Sequence, residues 1–85
     1  MKVTAKSVLS AESELGTTIG DVLKPLSEGN GISISNAVVL LKHATGKTNE
    51  DCLTMIDEEQ GLILKVIEAY SNWISKAYTV AESGN

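Results

Sequence analysis

Residues 57–78 read DEEQGLILKVIEAYSNWISKAY, and the fold turns on how that stretch is read. Placed around a helix at ~100° per residue, Ala69, Leu62, Trp73, Val66, Ala77, Tyr70, Ile63, Ile74, Ile67 and Tyr78 follow one another on one side. The opposite side carries Ser71, Ser75, Glu68, Thr79, Asn72, Lys65 and Lys76, and only Leu64 strays. That periodicity predicts a long amphipathic helix, with Asp57 and Gln60 spaced to open it as a cap and its partner. Gly61 costs such a helix about 1 kcal/mol relative to Ala and marks a bend. The apolar arc spans about half the circumference, wider than the ~100° a single buried stripe requires. Tyr70, Trp73 and Tyr78, the aromatic residues of the chain, all lie on this helix. Part of its face is therefore expected to meet a partner, with Leu62, Val66, Tyr70, Trp73, Ala77 and Tyr78 as the candidate contact residues. The competing reading is that the same aromatics fill the core.

Working outward, 85 residues make one domain, near the size at which an unaided hydrophobic core is just sufficient. An apolar share of 42% is enough for a core, and without Phe that core must be mostly Leu, Ile, Val and Ala. The expected fold is all-α: a small orthogonal bundle of four to five helices ending in the long amphipathic one, with short flexible ends at about residues 1–4 and 80–85.

Towards the N-terminus, Thr48 followed by Asn49, Glu50 and Asp51 caps a short helix whose narrow stripe is Cys52, Leu53 and Ile56; it should cover the core rather than form it. Ile34, Ala37, Val38, Leu40, Leu41 and Ala44 make a broad apolar face capped by Ser33 or Ser35, with Gly46 at its end. Residues 27–31 (SEGNG) form a loop. Before it, Thr18 and Asp21 open a helix that Pro25 should keep short, kink or end near Lys24, since Pro lacks the donor that would bond back to Asp21. Ala5, Val8, Glu12 and Leu15 share a face of the first helix, with Gly16 placed for a left-handed cap. Met1, Val3 and Ala5 alternate with Lys2, Thr4 and Lys6, as in a short strand.

The chemistry excludes more than it assigns. A formal charge of −4 and seven lysines without arginine do not suit a nucleic-acid binder. His43 to Asn49 between two helices has the spacing of a helix-turn-helix, but its second helix would bring Asn49, Glu50, Asp51 and Asp57 to the phosphates. His43 and Cys52 are the single representatives of their types, too few for a zinc site or an activated thiol. His43 reads as a solvated residue and Cys52 as a small buried hydrophobe. The acids around Asp57 lack the alternating ligands and central glycine of a calcium loop. Residues 29–31 lack the phosphate-loop pattern. No cofactor, metal, small-molecule substrate or enzymatic reaction is expected. A lone cysteine, no basic segment leading into an apolar run, and no apolar stretch of ~18 residues favour a cytoplasmic protein that does not engage a membrane.

The order of these features carries a resemblance. A helix closing in Glu12-Ser13-Glu14-Leu15-Gly16 leads to the apolar Ile19-Gly20-Asp21-Val22-Leu23 and a glycine loop. The helix from Ile34 to Ala44 follows, then a Thr-Asn-Glu-Asp start into Cys52-Leu53-Thr54-Met55-Ile56-Asp57, and the long apolar helix. From about Val8 to Tyr78 this resembles the small tail assembly chaperones of long-tailed bacteriophages, in spacing and residue class rather than by a catalytic motif. The resemblance implies a protein that keeps the tape-measure protein soluble, helps tail-tube protein polymerise around it, self-associates, works in the host cytoplasm and is absent from the mature virion. Many such chaperones are also made as a longer product by ribosomal frameshift. The alternatives are a homo-oligomeric scaffold module without a client, and a helix-turn-helix regulator.

Overall fold

The computed structural model describes residues 1–79. They form five helices: α1 (Ala5–Leu15), α2 (Ile19–Ser27), α3 (Ile34–Thr45), α4 (Asn49–Glu58) and α5 (Leu62–Tyr78). The architecture is an all-α bundle, as the periodicity requires. The end at residues 80–85, expected to be flexible, lies outside the described residues.

Helix α3 is central and packs against α1, α4 and α5, while α2 bridges α1 and α5. Its Leu40 and Leu41 are fully buried, and Ala37, Val38 and Ala44 nearly so. Val8 and Ala11 of α1, Ile19 and Val22 of α2, Cys52 of α4, and Leu62, Val66 and Tyr70 of α5 complete the core. Burying a Leu, Ile or Val side chain stabilises by about 1.5–3 kcal/mol each, so this short roster suffices for a marginally stable domain.

The helix ends follow their caps. Thr18, Ser33 and Thr48 accept from the backbone N–H groups of Asp21, Asn36 and Asp51, satisfying donors that the first turn leaves free. Ser33, not Ser35, is thus the cap of α3. Gly16 and Gly46 close α1 and α3 in the left-handed region, with φ of 74° and 76°. The alternation over residues 1–6 makes no strand: Thr4 caps α1 through a reciprocal pair with Ser7, whose own hydroxyl donates to the Thr4 carbonyl.

Three expectations are corrected. Helix α2 is short, at nine residues, but Pro25 does not end it near Lys24, since it runs on to Ser27. Pro25 stands in the last turn, where only the bond to the Asp21 carbonyl is lost, and its own carbonyl accepts from Glu28 and Asn30. Ile34, placed on the apolar face of α3, stands at its first position and is 53% exposed.

The third correction concerns the deciding stretch. Asp57 does not open the last helix but lies in the final turn of α4, which continues to Glu58. Glu59 donates to the Met55 carbonyl, and Gly61 then turns the chain at φ 77°, so α5 starts at Leu62. Acidic groups favour a helix start over a helix end, which is why the run reads as a beginning, but the left-handed Gly61 sets the break after it. As expected, α4 mainly covers, with Cys52 fully buried, but Leu53, read on the same stripe, is 45% exposed.

Candidate protein-docking surfaces

The six candidate contact residues divide along α5. Leu62, Val66 and Tyr70 are core, and Tyr70 Oη donates to the Leu40 carbonyl of α3 at 2.6 Å. Burial without a charged neighbour pushes the Tyr70 phenol up to about 12, since the phenolate would lose its hydration. Those three side chains are occupied within the chain. Trp73 is partly buried against the core, Ala77 is exposed, and Tyr78 is 79% exposed.

The last two turns of α5 therefore form a ridge. On one side of Trp73 a hollow of about 320 Å³ is lined by Val8, Glu12, Thr18 and Gly20, with Ile74 and Tyr78 on the ridge itself. On the other side a hollow of about 420 Å³ opens against Val3, Thr4 and Ala5. The first is shaped by Glu12, whose carboxylate leaves α1 to accept from the Ile19 N–H at 2.9 Å and fixes the start of α2. An indole between two hollows, beside an exposed phenol, is the kind of amphipathic aromatic anchor that docks on another protein.

A second surface lies at the other end of α5. The chain before α1 runs across the end of α3, where the Lys2 N–H donates to the Ala44 carbonyl. Together with α4 and the start of α5 it encloses a groove of about 530 Å³. Leu41, Ala44, Met55 and Leu62 line it, with Met1, Lys2, Lys47 and Lys65 around it. Composition and periodicity gave no sign of this groove, since its lysines come from three separate stretches.

His43 is not the solvated residue expected. Its Nε2 lies 2.8 Å from one Glu14 oxygen, and Lys42 Nζ lies 2.7 Å from the other. The two hydrogen bonds, Lys42's the stronger, hold the Glu14 carboxyl below its ordinary 4.5. The trio ties α1 to α3 and has an evident structural role. Cys52 is buried, as expected. Among the described residues, no three His, Cys, Asp or Glu side chains gather as a metal site would need, and no helix is long and apolar enough to cross a membrane.

Glu50 and Asp51 stand exposed in the first turn of α4, the helix that would enter a DNA groove in a helix-turn-helix. Compared with models of protein families, with curated proteins and with solved structures, the chain matches none.

Proposed function

We propose that this protein is a tail assembly chaperone of a long-tailed bacteriophage, which binds the tape-measure protein and assists assembly of the tail tube. The reading rests on the resemblance in the order and spacing of its segments. The observation that carries it furthest is the outer end of α5, where Trp73 stands between two hollows and Ala77 and Tyr78 are exposed. A long helical client with unpaired apolar faces is kept soluble when such a ridge covers them. The chaperone acts by binding and catalyses no reaction; it needs no cofactor, works in the host cytoplasm and does not remain in the virion.

Co-expression with the tape-measure protein of the same genome tests this. The chaperone should carry that protein into the soluble fraction and co-purify with it, and Trp73→Ala with Tyr78→Ala should abolish the rescue while leaving helical content unchanged. Equal rescue by the double variant would remove the ridge from the account. A second copy of the chain seated on the same ridge is the oligomeric-module alternative. It predicts a stable oligomer that does not dissociate or rearrange when the client is added.

A further inference from the structure

The groove at the start of α5 has a composition unlike that of the chain as a whole. Its floor is apolar: Leu41 and Leu62 are buried, and Met55 is partly so. Around it stand Lys2, Lys47 and Lys65, three of the seven cationic side chains in a protein of net charge −4, against the single carboxylate of Glu59. Glu59 is already engaged by Lys65, at 2.7 Å. Three lysines against one glutamate leave a local positive surplus on an acidic molecule.

We propose that this groove is a docking site for an acidic amphipathic segment of a partner protein. The partner's apolar side chains would lie on Met1 and Met55, above the buried Leu41 and Leu62, and its carboxylates would face Lys2 and Lys47. The charge pattern selects the occupant: a basic segment would be repelled at the rim, and a neutral one would gain nothing from it. Met55 gives the floor a side chain that adapts to different apolar anchors. Nucleic acid fits poorly, because no aromatic ring is present on the floor for bases to stack upon. From Leu62 to Trp73 is about 16 Å along the helix at 1.5 Å per residue. The groove is thus a surface separate from the aromatic ridge, and its occupancy does not depend on the tail-assembly reading.

The test uses the whole chain, with an amphipathic leucine–glutamate peptide as probe and its leucine–lysine counterpart as control. The acidic peptide should shift the methyl signals of Met1 and Met55, and its affinity should fall as salt is raised. The double variant Lys2→Glu, Lys47→Glu changes two exposed side chains, should keep its circular dichroism spectrum, and should bind about tenfold more weakly. Absence of binding, equal binding of both peptides, shifts centred on Trp73, or salt-independent affinity would each overturn the proposal.

Discussion

Tyr70 of α5 donates its phenolic hydrogen to the backbone carbonyl of Leu40 on α3 across 2.6 Å, and both side chains are fully buried. This bond fixes the rotation of the last helix on the central one. It decides which part of the apolar arc is spent inside the domain and which part projects beyond it.

Removing only the hydroxyl, in Tyr70→Phe, should destabilise the domain by about 1 kcal/mol, because the ring still fills its site. Tyr70→Ala should cost about 3–5 kcal/mol through the cavity it leaves. Urea unfolding should show lower midpoints at an unchanged slope for Tyr70→Phe.

The same residue gives a dependence on alkaline pH. Its phenol ionises near 10 in the unfolded chain and at about 12 in the folded one. Between those values the folded state holds more protons, so its stability is complete below pH 10 and falls as pH rises, by at most about 1.4 kcal/mol per unit. Stability measured across that window should decline in the parent chain, and the decline should be smaller in Tyr70→Phe.

Gly61 discriminates the reading of residues 57–78 as one helix from the observed break. In a continuous helix, Ala at this position would stabilise by about 1 kcal/mol. With φ at 77° and open space where a Cβ would sit, Gly61→Ala should instead destabilise by about 1–2 kcal/mol, from backbone strain alone. The sign of the change in thermal unfolding is the readout.

Much of the helical plan is legible in the sequence because it is local. The Thr caps, the left-handed glycines at Gly16 and Gly46, and the spacing of Ala37, Val38, Leu41 and Ala44 act within a few residues of themselves. What the sequence conceals acts between helices. Nothing local marks Tyr70 for a carbonyl thirty positions away, or Glu12, on the first helix's apolar face, for the turn into α2. The same limit applies to the candidate contacts: periodicity placed Leu62 and Tyr78 on one arc, but only the bundle shows that it covers the first and leaves the second bare.

Glu12 provides a test of such a contact between helices. Glu12→Ala would leave the Ile19 N–H without its acceptor and should cost about 1–3 kcal/mol, whereas Glu12→Gln retains an acceptor oxygen and should cost less. Hydrogen exchange at Ile19 should accelerate in the Ala variant and stay slower in the Gln variant.

Trp73, the single tryptophan of the chain, reports directly on whether the outer end of α5 receives the tape-measure protein, as proposed. Titration with that protein, solubilised in mild detergent below its micelle-forming concentration, should shift Trp73 emission to shorter wavelength as the partly exposed indole is covered. The change should saturate at a fixed stoichiometry and be weakened in Tyr78→Ala. Emission that stays unchanged while the two proteins bind would contradict the account, since the contact would then lie elsewhere on the molecule.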